Sequence, residues 1–271
     1  MLSRVNFIGV IVLAGLMAPG CGGGSTPERP AATAKADGPG SITGKVTFDG
    51  EPPGRTVIRM GADPNCRPHE PVKVGNVTGA MSDALIVGSD RAIKDVFVYV
   101  KDGLGNRVYA TPTTPVVLDQ NGCQYEPHVF GVQVGQPVEI KNSDMTLHNV
   151  HAIPKSNSEF NFGQNNEKAP AVTKTFDKPE IGLSFRCDVH GWMRAYANVV
   201  THPFFAVTKA DGTFEIKGLP TGTYTIEAWH ERLGTQTMMV TIADGAPSAT
   251  AAFTFKPEAE GAREPGSRRP H

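Results

Sequence analysis

The sequence predicts an all-β protein built from β-sandwiches, and three observations carry that reading. Short runs of alternating apolar and polar residues recur along the chain, while no stretch sustains helical periodicity over several turns. Glycine and proline are abundant, 30 and 22 of 271 residues, and many stand in turn pairs between those runs. Hydrophobic residues make up 39% and charged residues 20%, a balance that suits a turn-rich chain long enough for one or two domains. A formal net charge of -1 gives no electrostatic reason to expect nucleic acid as a partner.

At the N-terminal end, Arg4 and the apolar run Phe7 to Ala18 read as an export signal, because about 12 such residues are too few to span a bilayer. Ala18-Pro19-Gly20-Cys21 resembles a bacterial lipoprotein cleavage box in which Cys21 carries the lipid. Ala18 stands where leucine is usual and Pro19 is atypical, and simple cleavage or an uncleaved anchor are the alternatives. Residues 1-21 are thus expected to be a lipoprotein-type signal, and 22-40, rich in Gly, Pro, Ala, Ser and Thr, a flexible linker. The expected location is the periplasmic side of the cell envelope, with the membrane as a partner through Cys21. Residues 256-271 have a similar composition and are expected to be a disordered tail.

The strands follow in order. Ser41 to Phe48 alternates and ends at the turn pair Asp49-Gly50; Thr56 to Met60 and Asp95 to Val100 follow as β-branched and aromatic runs. Val132 to Val134 leads through Gly135-Gln136-Pro137 into the alternating run Val138 to Asn142, which precedes His148. Leu183 to Arg186 runs into Cys187 and Ala195 to Val200 runs out beyond Met193, so the segment between them is a loop joining two strands. Thr213 to Ile216, Thr223 to Trp229 and Met238 to Ile242 supply more short strands and suggest a small second sandwich.

The loop Cys187-Asp188-Val189-His190-Gly191-Trp192-Met193 delivers a thiolate, an imidazole and a thioether, and Leu147-His148-Asn149-Val150-His151 upstream offers a further imidazole. Two imidazoles, a thiolate and a weak thioether suit one mononuclear electron-transfer copper, and harder cations would not select them. Taken singly, Cys187 reads as a buried thiol, His190 as a loop histidine and Met193 as a core filler. Spacing, flanking strands and the export signal together point to metal ligation by His148, Cys187, His190 and Met193. His151 lies an odd number of residues from His148 on an extended strand and is expected in packing or at the surface. Cys66 and Cys123 remain; an exported protein can oxidise such a pair, and two separately buried thiols are the alternative.

Leu147 to His151 and Cys187 to Met193 together resemble the cupredoxins of the amicyanin and plastocyanin type, over about Cys123 to Val200. The resemblance implies a Greek-key β-sandwich with one type 1 copper, His148, Cys187 and His190 equatorial and Met193 axial. It also implies that Asn149 ties the two ligand loops together. Electrons would then pass between an exported redox donor and acceptor through the edge of His190. Amicyanin-type loops commonly carry prolines at the positions of Val189 and Gly191, so an extra backbone N–H is expected to reach the Cys187 sulfur and raise the reduction potential. Trp192, Met145 and Leu147 are expected around the copper end as a docking patch; packing of Trp192 under the C-terminal module is the alternative.

Val207 to Tyr224, with the turn pairs Asp211-Gly212 and Thr221-Gly222, resembles a carboxypeptidase regulatory-like domain, a small transthyretin-like β-sandwich. That resemblance implies a structural or interaction role and no peptidase activity. Ser41 to Met60 resembles the opening strand of the same family. The copper sandwich is therefore expected to sit inside a split second sandwich, in competition with early strands that extend the copper barrel. The expected divisions are 41-122, a β-rich N-terminal region; 123-202, the copper domain; and 203-255, the regulatory-like domain. His69, His128, His202 and His230 are read as packing or surface histidines, with Trp229-His230-Glu231 a weak candidate for a second metal or docking point.

The function expected is single-electron transfer, with a copper-binding scaffold and a copper-dependent oxidoreductase as alternatives. The sequence has neither an H-x-H pair nor a second cysteine in the ligand loop, and the chain is therefore expected not to be an enzyme.

Overall fold

A computed structural model describes residues 33–257. The expected signal segment, Cys21, much of the linker and the tail beyond 257 lie outside the described residues. Among those described, 21 strands form and no helix does.

Two sheets share the core that surrounds Cys187. One runs in the order Val129–Gln133, Arg194–Val200, Glu180–Arg186, His148–Ile153, Phe160–Gln164; the other runs Val172–Lys174, Val138–Asn142, Val116–Asn121, Gln124–Glu126. Alternation decides which side chains enter: in Val138–Asn142, Val138, Ile140 and Asn142 are buried while Glu139 and Lys141 are half-buried. Leu118, Ile140, Val150, Phe185, Ala197 and Val199 fill the space between the sheets. The chain passes from one sheet to the other and back between Val129 and Ile153, as the strands of a β-sandwich do. Val116–Asn121 precedes residue 123, yet it pairs in parallel with Val138–Asn142 in this sandwich.

The second pair of sheets draws on both ends of the chain. Gly40–Phe48 pairs antiparallel with Thr213–Leu219 and parallel with Ser248–Phe255. Phe97–Asp102 lies between Phe205–Val207 and Gly222–His230, with Gly234–Ile242 at the edge. Ile42, Val46, Val98, Phe204, Phe214 and Ile226 belong to their common core. The strands 116–200 of the first sandwich thus fall in sequence between those of the second. A third cluster of Phe97, Tyr99, Val129 and Val200, with Tyr196 and Trp229 packed on it, joins the two.

A small sheet of Val57–Arg59, Val77–Met81 and Val72–Val74 completes the core around Cys187 with Met60, Cys66 and Ala80. The connection 60–71 carries Cys66, which is joined to Cys123 by a disulfide across 57 positions. This segment positions one wall of the site described next.

Candidate metal centre

His148 opens the strand His148–Ile153, and Cys187 follows the strand Glu180–Arg186 that pairs with it. The loop from Cys187 to Met193 closes on itself: Met193 N–H donates to the His190 carbonyl at 2.9 Å, and Cys187 N–H to the Met193 carbonyl at 3.3 Å. These bonds turn Cys187, His190 and Met193 inward, where they are 1%, 4% and 1% exposed.

His148 Nδ1 and His190 Nδ1 stand 2.9 Å apart, and Cys187 Sγ is 3.8 Å from His190 Nδ1. One donor atom each from His148, Cys187 and His190 lies within 4.8 Å of the others. The opposite nitrogens are engaged as well: His148 Nε2 faces Asp144 Oδ2 at 2.9 Å, and His190 Nε2 faces Asp63 Oδ2 at 3.2 Å. Each carboxylate favours a proton on Nε2, which leaves both Nδ1 atoms as acceptors aimed at each other and at the sulfur. Converging lone pairs in a buried space are resolved by a proton or a cation, and this donor set fits a soft or borderline metal ion.

Without a metal, protons stand in its place: burial pushes the Cys187 thiol up, but ring N–H groups of His148 and His190 and the backbone N–H groups of Asn149 and His190, donating to the sulfur, bring it down to about 6. The His190 N–H reaches Cys187 Sγ at 3.3 Å. Burial pulls the His148 imidazole down, yet Asp144 and Cys187 together hold it above its ordinary value. Burial pushes the Asp63 carboxyl up, and Thr146, the Asn65 N–H and His190 more than offset this, so it lies below the usual range.

Asn149 ties the two loops together. Its Oδ1 accepts from the N–H of Asp188 at 2.5 Å and of Val189 at 3.3 Å, and its Nδ2 donates to Asn161 Oδ1 and Asp188 Oδ2. The Val189 N–H, which a proline would lack, is therefore spent on Asn149 and not on the Cys187 sulfur as the sequence led us to expect. His151 turns away from the centre, with Nε2 on Glu159 at 2.6 Å and Nδ1 on Asp188 at 3.2 Å.

The surroundings of His190 differ from expectation. Its edge is covered by the connection 60–71, and Asp63 and the sulfurs of the Cys66–Cys123 disulfide lie against it. Trp192 is half-buried, lies tilted against the His190 ring at 5.1 Å between centroids, and donates Nε1–H to the Cys123 carbonyl at 2.9 Å. It packs on the core around Cys187 and not under the C-terminal strands. Met145 and Leu147 are exposed, 72% and 43%, and Val189, which the sequence did not place in the docking patch, is 52% exposed on the ligand loop.

Two carboxylates escaped sequence reasoning. Asp144 precedes His148 by four residues in an irregular turn, where spacing carries no facing rule. Asp63 is 127 positions from His190, and the only sequence signal was its nearness to Cys66.

No protein-family model matches the sequence, and none of the curated proteins compared is similar to it. Among solved structures, the chain is similar over 36% of its length to a copper-containing nitrite reductase from Thermus scotoductus SA-01, at 21% identity and a TM-score of 0.30, spanning 25% of that chain. It is similar to an amicyanin variant in its reduced Cu(I) form over 36% of this chain and 96% of that one, at 23% identity and a TM-score of 0.28. A purple cupredoxin from Nitrosopumilus maritimus covers 31% of this chain and 98% of its own, at 19% identity and a TM-score of 0.27. These structural neighbours are cupredoxins and a copper enzyme, at low coverage. The expectation that the chain is not an enzyme is corrected by the presence of the nitrite reductase among them; no enzymatic activity is established by it either.

Proposed function

We propose that this chain is an exported copper protein of the cupredoxin kind, with one type 1 site, that transfers single electrons between a redox donor and acceptor of the cell envelope. One observation carries the reading: two imidazole Nδ1 atoms and a low-pKa thiolate converge in a buried space beside Met193. Copper held there supplies a one-electron couple.

The chain's residues do the remainder. His148 and His190 offer Nδ1 because Asp144 and Asp63 hold the Nε2 protons. Cys187 offers an ionised sulfur partly neutralised by the His190 N–H. Met193 supplies a thioether, and Phe185, Tyr125 and Ala195 in the same core exclude water. Because paired strands fix the loop at both ends, the donors shift little when charge changes. The exposed Met145, Leu147 and Val189 at this end suit brief apolar docking of a redox partner. Cys21 would tether the chain to the membrane on the periplasmic side. The interleaved strand order supports a copper sandwich inserted in a split, regulatory-like sandwich.

The test is visible absorption of copper-loaded protein. An intense thiolate-to-copper band that bleaches on reduction and returns with oxidant is expected; a colourless protein would overturn the reading. Cys187→Ser removes the band and His151→Ala leaves it nearly intact.

A further inference from the structure

The segment that covers His190 lies outside the stretch whose motifs point to copper, and it is built with care. After the strand Val57–Arg59 the backbone makes two turns, with Asp63 N–H donating to the Met60 carbonyl at 3.2 Å and Cys66 N–H to the Asp63 carbonyl at 3.1 Å. Asp63 Oδ1 accepts from Asn65 N–H at 2.8 Å, an Asx turn that fixes the carboxylate plane. Three residues on, the disulfide fastens the segment to Cys123. Asp63 Oδ2 then reaches across to two groups from separate parts of the copper-side loops, Thr146 Oγ1 at 2.6 Å and His190 Nε2 at 3.2 Å. His190 is left 4% exposed.

We infer that Asp63 is a positioning residue for His190. It fixes the proton on Nε2 and the ring orientation so that Nδ1 stays a donor to the metal, and its negative charge favours the more positive copper state, which lowers the reduction potential. The inference rests on the proposed copper site and adds to it a residue from the covering segment. A carboxylate on the far nitrogen of a metal-bound imidazole raises the basicity of the ligand, and removing such a partner typically weakens metal binding about 10- to 100-fold. A unit charge one imidazole away from the metal, on a side chain only 18% exposed, also acts with less screening than it would in open water. Asp144 does the same for His148, so the two rings are held from opposite sides.

The test uses the full chain with Asp63→Asn and Asp63→Ala. Asp63→Asn keeps the shape and loses the charge; at a fixed ambient potential its reduced-to-oxidised ratio should rise by about tenfold over wild type, with the visible band retained. Asp63→Ala also loses the bond; chelator competition should show copper held about 10- to 100-fold more weakly. In metal-free protein, nitrogen NMR should show His190 shifting from the Nε2–H form toward a mixture in Asp63→Ala. Where Asp63→Ala fails to fold, the isosteric Asp63→Asn still decides through its redox ratio. A wild-type band with an unchanged ratio in Asp63→Asn overturns this inference alone. Absence of the band in wild type overturns the copper reading and this inference with it.

Discussion

Cys123 holds a left-handed backbone conformation, φ 55°, directly after Gly122 at φ 66°, a pair that forms the two-residue turn between Val116–Asn121 and Gln124–Glu126. For a residue other than glycine this conformation costs on the order of 1–3 kcal/mol unless its surroundings enforce it. Three groups enforce it here: the disulfide to Cys66 and the two oxygens of Asp144, which accept from Gly122 N–H and Cys123 N–H at 2.8 Å each. The same Asp144 holds His148 Nε2, so one carboxylate connects a turn and a metal-facing imidazole. Asp144→Asn turns an acceptor into a donor that faces N–H groups. It should cost about 1–3 kcal/mol in urea unfolding of the metal-free protein. Copper should be held about 10- to 100-fold more weakly in chelator competition. The convergence of His148, Cys187 and His190 was legible because their donor chemistry and spacing are local. Asp63 and Asp144 were not, since a carboxylate in a turn is the commonest of surface residues until the fold shows what it faces.

Among the elements, Glu180 opens the strand that leads to Cys187 and serves a purpose its sequence does not announce. It is 8% exposed and accepts from Lys155 N–H, Ser156 N–H, Asn157 N–H and Asn157 Nδ2, pinning the turn after His148–Ile153 to the start of Glu180–Arg186. Burial pushes its carboxyl up, but these four donors hold it below the usual glutamate range. A depressed folded value means the stabilisation is present above about pH 4.5 and is lost as pH falls through the folded value. Glu180→Gln should lower stability at pH 7 by about 1–3 kcal/mol. The gap between variant and wild type should shrink when melting is followed from pH 6 down to 3; an equal gap at both ends would refute the assignment. Strands such as Val138–Asn142 were legible from alternation alone. Phe160–Gln164 and Ser248–Phe255 were passed over. The first is an edge strand with one partner, and the second takes its register from Gly40–Phe48, some 200 positions earlier, information no local window contains.

Across the whole molecule, the two sandwiches meet at few points, and those points are specific. Gly182, at φ 72°, lets the backbone approach Trp229 so closely that a Cβ there would lie 2.7 Å from the indole ring. His128 of the sandwich that carries Cys187 pairs through Nε2 with Glu231, the residue that follows the strand Gly222–His230, while its Nδ1 faces the Arg194 carbonyl at 3.0 Å. A carboxylate and a carbonyl both accept, so both ring nitrogens must donate and the imidazole is the cation. Burial pulls His128 down, but the bond and charge of Glu231, with Asp95 and Asp83 behind it, hold it above the ordinary histidine value; the Arg194 carbonyl completes the shell and His230 stands beside it as a neutral ring. A raised folded value makes the sign opposite to that of Glu180: the stabilisation is full below about pH 6.5 and disappears as pH rises through the folded value. His128→Ala leaves the buried Glu231 with the Tyr196 hydroxyl but without its counter-charge, and breaking a buried pair typically costs about 3–5 kcal/mol. Thermal unfolding of wild type should therefore move to lower temperature between pH 6 and 9, and His128→Ala should unfold earlier at pH 6 while losing most of that dependence. A variant that kept the full wild-type slope would show that the contact between the sandwiches is held by the Trp229 and Phe97 packing and not by this ion pair.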